Sequence, residues 1–169
     1  AYYLASPANW LIALFPQRSM IEIMNAMIIV KLAAASASFA YYIAKHFHTK
    51  SCSIALFGTF YALSGFVAAY SWNIMWLDCV ILVPLIMLGL ERLVNENKCL
   101  LYCISLGLCI FTNYYIAIMV CMAVVLYFIV LMVSYNGTRH PRIYLKKFIH
   151  WCVYSLLAGG LSACLLLPE

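Results

Sequence analysis

From Cys99 to Tyr135 the chain carries no charged side chain. Coiled into one helix, that stretch would measure about 55 Å, nearly twice the ~30 Å hydrocarbon core of a bilayer. It reads instead as two crossings of ~27 Å each, turning at Asn113-Tyr114-Tyr115. Its first limb, 99–113, is short at ~22 Å, so a re-entrant loop is the alternative there. A chain holding such a stretch must satisfy its backbone polar groups internally, which in lipid leaves helices or closed barrels.

Composition extends that constraint to the whole chain. Hydrophobic residues make up 67%, charged residues 9%, and the mean hydropathy is +1.00, against roughly 25% charged residues in an average soluble domain. No water-facing surface can be built from that inventory, so the exterior must face lipid. The apolar runs lack the ten-residue alternation of outer-membrane barrel strands. The expected fold is therefore all-α, a polytopic transmembrane helix bundle of about six spans. Read at its charged and aromatic interruptions, the chain gives spans near 20–44, 53–71, 77–94, 99–113, 115–135 and 148–167, in one transmembrane domain over 1–169. Neither end carries a polar tail, and the chain reads as an internal piece, incomplete at both ends.

The polar interruptions are of two alternating kinds. Lys45–Lys50, Arg92–Lys98 and Arg139–Lys147 are basic, whereas 71–76 and 113–115 are aromatic and amide-rich. Eight of the ten Lys and Arg residues fall in the basic kind; Arg18 lies on the opposite side and Lys31 within a span. The positive-inside bias makes the basic loops cytoplasmic. Both chain ends are then extracytoplasmic, in the plasma membrane, with Trp10, Trp72 and Trp76 at the outer interface. Asn136-Gly137-Thr138 falls on the inner side and reads as loop.

Pro84 alone among five prolines lies within a span, predicting one kink and one freed carbonyl. The small residues 33–38, with Gly58, Ser64 and Gly65, allow close helix approach. The eight cysteines form no Cys-x-x-Cys pair and mostly sit in apolar runs, where they read as small packing residues.

An ionisable group at membrane depth is expensive and marks a candidate site. Lys31 lies ~18 Å below the outer end of its helix, where it either snorkels and packs against carbonyls or pairs with a carboxylate or bound phosphate. Asp78 follows an outer loop holding Trp72, Asn73 and Trp76, which places its carboxylate at the outer mouth of the bundle. It either complements the helix dipole, in which case Asn would cost at most about 1 kcal/mol, or serves as general base or metal ligand. Asn113, Tyr114 and Tyr115 return to that surface and either line the cleft or anchor the interface. Glu91 and Arg92 read as a solvated or locally paired helix end, and His46 and His48 as solvated loop residues. The sequence contains no Gly-rich phosphate loop, no Ser-His-Asp pattern and no metal-binding Cys/His spacing.

Four stretches carry a family resemblance: Tyr61-Ala-Leu-Ser-Gly65, Tyr70-Ser-Trp-Asn-Ile-Met-Trp-Leu-Asp78, Leu85-Ile-Met-Leu-Gly-Leu-Glu-Arg-Leu93 and Asn113-Tyr-Tyr-Ile116. With Ala5-Ser-Pro7, Asn9 and Phe15-Pro16, they resemble the YfhO family of bacterial multi-pass membrane proteins over nearly the whole chain. Ala117 departs from the glycine expected there. The resemblance implies a GT-C-like glycosyltransferase that takes sugar from a polyprenyl-phosphate donor and passes it to a cell-envelope polymer such as teichoic acid on the outer face. Leu77-Asp78 is similar to the Leu-Asp turn of GT-C enzymes. The family's principal acidic residue is expected upstream of Ala1. Asp78 would then be the secondary carboxylate, as base or as ligand of a divalent metal ion. Arg18 or Lys31 would face the lipid phosphate, and Trp72, Asn73, Trp76, Asn113, Tyr114 and Tyr115 would contact substrate. Lipid bilayer, donor and acceptor are the expected partners, and nucleic acid is not. The alternative is a transporter or flippase of lipid-linked or envelope precursors, for which discontinuous helices would be typical; a non-catalytic scaffold is a third reading.

Overall fold

A computed structural model describes residues 20–135 and 141–166. Among these, every regular element is an α-helix: α1 Met20–His46, α2 Ser53–Ala62, α3 Gly65–Tyr70, α4 Ile74–Glu96, α5 Leu100–Thr112, α6 Tyr114–Val133 and α7 Pro141–Leu166. The expected all-α membrane bundle is the observed one. Among the described residues four segments are long and apolar enough to cross a bilayer: Ile21–His46, Ser53–Tyr70, Ile74–Glu96 and Tyr114–Val133. They match four of the expected spans. The stretch 99–113 contributes the 13-residue α5, only about 20 Å long. In α7, Arg142, Lys146 and Lys147 occupy the first two turns and the remainder is uncharged.

Large apolar side chains stand on the outside of this bundle. Ile29, Leu126 and Leu156 are 67%, 67% and 77% exposed, the inverse of a soluble domain's surface. The centre is α4, which packs against α1, α5, α6 and α7. It contributes Cys79, Ile86 and Leu90 to a core completed by Tyr102 of α5, Val124 of α6 and Ala158 of α7. Two glycines set the closest approaches. A Cβ on Gly89 would lie 2.7 Å from the backbone of Tyr102, bringing α5 against α4. A Cβ on Gly58 would lie 2.7 Å from the Ser36 carbonyl, so α2 sits on the small-residue face of α1.

Pro84 lies inside α4 and leaves the Val80 carbonyl without its helical donor. The hydroxyl of Tyr61 donates to that carbonyl at 2.8 Å, and the Tyr61 ring stacks on Phe39 of α1 at 4.5 Å. One expectation needs correcting. The span 53–71 is not continuous: Leu63 leaves helical geometry and Ser64 is extended (φ −60, ψ 154) before α3 begins at Gly65. The Ser64 N–H bonds back to Tyr61 at 3.2 Å, tightening the last turn of α2, while the Ser64 carbonyl accepts from Ala68 and starts α3. Uniform hydropathy across this Ser-Gly junction hides a break that backbone geometry makes plain.

Candidate functional site

One face of α1 presents Lys31, Ala35 and Ser38, all buried, at helical spacing. Opposite Lys31 lies the first turn of α4. Lys31 Nζ stands 2.7 Å from Asp78 Oδ1, with the two side chains only 5% and 12% exposed. The same ammonium donates to the Ile74 carbonyl at 3.0 Å. Lys31 therefore holds both the carboxylate and a carbonyl of one helical turn. The sequence left Lys31 and Asp78 as separate candidates 47 positions apart, and the fold joins them. A buried pair of this kind is nearly neutral as a unit, whereas either charge alone would face a large desolvation penalty.

The residues around the pair fall into two groups. Asn73 opens α4 and is 8% exposed, yet its side chain makes no capping bond and no other hydrogen bond among the described residues. A buried carboxamide without partners is costly and uncommon. Cys79, next to Asp78, places Sγ 3.8 Å from Thr112 Oγ1 and 3.9 Å from the Cys109 carbonyl. That contact fixes the end of α5, and hence Asn113, at the same end of the bundle. Trp76 lies in an aromatic cluster with Tyr70 and Phe66 of α3, at 5.3 and 6.4 Å.

The other expected contacts are more peripheral. Asn113 is buried, and its Oδ1 accepts from the backbone N–H groups of Tyr115 and Ile116 at 3.0 and 3.2 Å. It is the N-cap of α6, which explains an amide at the hairpin turn. Trp72 is 69% exposed, with Nε1 donating to the Ala69 carbonyl. Tyr115 is also exposed and Tyr114 half-buried. Arg18 lies outside the described residues.

The sequence profile of the bacterial membrane protein YfhO matches residues 1–169, the full chain. The chain belongs to the YfhO family. No curated protein and no solved structure matches it significantly. In this YfhO-family chain the Ser-Trp-Asn-Ile-Met-Trp-Leu-Asp stretch is the segment that turns from α3 into α4, with Asn73 as the N-cap of α4 and Asp78 just beyond its first turn.

A divalent ion asks for several oxygen ligands. Among the described residues no three His, Cys, Asp or Glu side chains converge, and Asp78 already faces an ammonium. Around Asp78 the described residues therefore bring no second or third His, Cys, Asp or Glu ligand of the kind a divalent cation would take.

A second polar centre went unread in the sequence. Glu91 does not form a solvated helix end; it is 8% exposed. Its Oε1 accepts from the hydroxyls of Tyr42, at 3.1 Å, and Tyr127, and lies 2.7 Å from His46 Nδ1. His46, expected as a solvated loop residue, is thus bonded into the bundle. Tyr42, half-buried, and His46, 37% exposed, follow Lys31, Ala35 and Ser38 along α1 at helical spacing, and that spacing was the available signal. Its partner Tyr127 comes from α6, which no local pattern reveals.

Proposed function

We propose that this protein is a GT-C-like membrane glycosyltransferase that moves sugar from a polyprenyl-phosphate donor to a cell-envelope polymer, such as teichoic acid, on the outer face of the plasma membrane. Family membership supports the class. The observation that carries the site is the buried Lys31–Asp78 pair, at the end of α4 away from the basic loops.

In the proposed reaction an acceptor hydroxyl attacks the anomeric carbon. The new C–O bond forms as the bond to the lipid phosphate breaks, and the phosphate leaves with the electron pair. Asp78 takes the acceptor proton. As its charge is neutralised, the ammonium of Lys31 is left uncompensated while charge grows on the departing phosphate. The pair thus stabilises charge where it develops. Asn73 supplies an unused carboxamide to the sugar, and Trp76 an aromatic face. Trp72, Tyr114 and Tyr115 contribute at the rim, and Asn113 through the turn it caps. Arg18 is a further cation for the phosphate. Any divalent ion would need ligands beyond Asp78, so no step here depends on one.

A second reading, a transporter or flippase of lipid-linked precursors, is favoured by the break between α2 and α3, since discontinuous helices are typical of substrate sites in transporters.

The test is incorporation of labelled sugar from the lipid donor in membranes holding equal amounts of folded full-length protein. Asp78→Asn alone strands Lys31, so it is compared with Lys31→Met/Asp78→Asn, which removes both charges. Loss of general-base catalysis alone typically costs about 10²–10⁴-fold, and both variants are expected near background. Transfer by the double variant within a few-fold of the parent removes the pair from the site. Sugar transfer absent in the parent, with lipid-linked sugar crossing vesicle membranes in its presence, favours the transporter reading.

A further inference from the structure

At the basic end of the bundle a cleft of about 500 Å³ opens beside Glu91, lined by Lys45 and His46 of α1, by Arg92 and Glu96 of α4, and by Lys98. Its charges do not cancel. Glu96 is taken by Lys98 at 2.8 Å, and Glu91 by His46 and the two tyrosines. Two of the carbonyls at the end of α4 are also satisfied. The Arg92 carbonyl accepts from the backbone of Asn97, which caps the helix in the left-handed region at φ 56, and from Lys98 N at 3.2 Å. The Val94 carbonyl accepts from Lys147 Nζ at 2.6 Å.

Two cations are left over. Arg92, half-buried, makes no salt bridge and no side-chain hydrogen bond among the described residues. Lys45 makes none either, and its ammonium lies 5.7 Å from the Tyr41 ring. After Lys98, Arg92 also attracts the Glu96 carboxylate through space. A guanidinium with no hydrogen-bond partner among the described residues and an ammonium, lining one polar recess, nonetheless have the chemistry of a phosphate site. Guanidinium forks match phosphate oxygens two at a time, and basic recesses between helices at the membrane surface hold acidic headgroups.

We propose that this cleft binds a phosphate group of net negative charge, with Arg92 and Lys45 holding the phosphate. It is separate from the Lys31–Asp78 site and does not rest on the glycosyltransferase reading. Phosphate of this kind comes from an anionic lipid or from a soluble phosphate ester, and the experiment separates the two.

Purified full-length protein is examined by native mass spectrometry with dioleoyl-phosphatidylglycerol, with the zwitterionic dioleoyl-phosphatidylcholine, and with glycerol 3-phosphate as competitor. Arg92→Gln/Lys45→Gln is the principal variant. Lys45→Glu, at an exposed position, is the second and carries the test alone if the first does not accumulate. The unliganded melting temperatures of parent and variant show whether the fold is intact. Retention of phosphatidylglycerol over phosphatidylcholine, about ten-fold or more weaker in the variants, supports the site. Resistance to glycerol 3-phosphate then assigns it to lipid, and displacement by glycerol 3-phosphate assigns it to the free ester. Equal retention of both lipids by the parent, with no binding of glycerol 3-phosphate, overturns the proposal. So does phosphatidylglycerol retention that is unchanged in an intact variant.

Discussion

Tyr61 donates its hydroxyl to the carbonyl of Val80, the group that Pro84 deprives of its helical partner. A proline that would leave an orphaned acceptor inside the bilayer is thereby tolerated at the centre of α4. Tyr61→Phe should cost about 1 kcal/mol, read from the melting of purified protein. In a Pro84→Ala background, where the helix supplies its own N–H, the same change should cost clearly less. Equal losses in the two backgrounds would show that the hydroxyl does not serve the proline.

Lys31 and Asp78 should behave as a unit in stability. Lys31→Met leaves a carboxylate at 12% exposure without its ammonium, and breaking buried pairs typically costs about 3–5 kcal/mol. Adding Asp78→Asn should recover most of that loss. The pair also changes an expectation drawn from the sequence, because Asp78→Asn alone is no longer a loss of about 1 kcal/mol at a helix dipole but strands a buried ammonium. The fraction of each variant that remains folded in detergent on heating is the readout. If single and double variants melt together, the two charges are not coupled.

Gly89→Ala drives a methyl group to 2.7 Å from the Tyr102 backbone, so α4 and α5 must separate. Overpacking of this kind costs about 1–3 kcal/mol. Gly65→Ala meets nothing within 4 Å and should change stability by less than about 0.5 kcal/mol. A melting temperature lowered by the second as much as by the first would contradict the observed helix packing.

Orientation is accessible through reporter fusions. Alkaline phosphatase joined after Trp72 is expected to be active and after Asn97 inactive, with green fluorescent protein giving the opposite pattern. The reverse result would place the Lys31–Asp78 pair near the cytoplasm and remove the outer-face reaction.

Sequence reasoning reached the helices because charge and apolar length are local quantities. Lys45, Arg92 and Lys98 mark the basic helix ends by themselves. The break at Ser64 was invisible because Leu63-Ser64-Gly65 interrupts geometry without interrupting hydropathy. Lys31 and Asp78 were singled out one at a time, since each is a charge in an apolar run, but their contact depends on the register of α1 against α4. Glu91 was misread because its neighbours Arg92, Asn95 and Glu96 are polar. Only one face of that turn reaches water, and the other meets Tyr42 and Tyr127. Asn113 was marked as a turn, whereas its role as a cap follows from backbone N–H groups that the sequence cannot orient.

The shortness of α5 bears on how the protein is made. A helix of 13 residues falls well below the ~20 that hold a segment across a bilayer unaided. α6, with 20 residues and no charge, meets that length, and the single residue Asn113 joins the two. By length alone α5 is expected to enter the bilayer together with α6, as the two limbs of one hairpin.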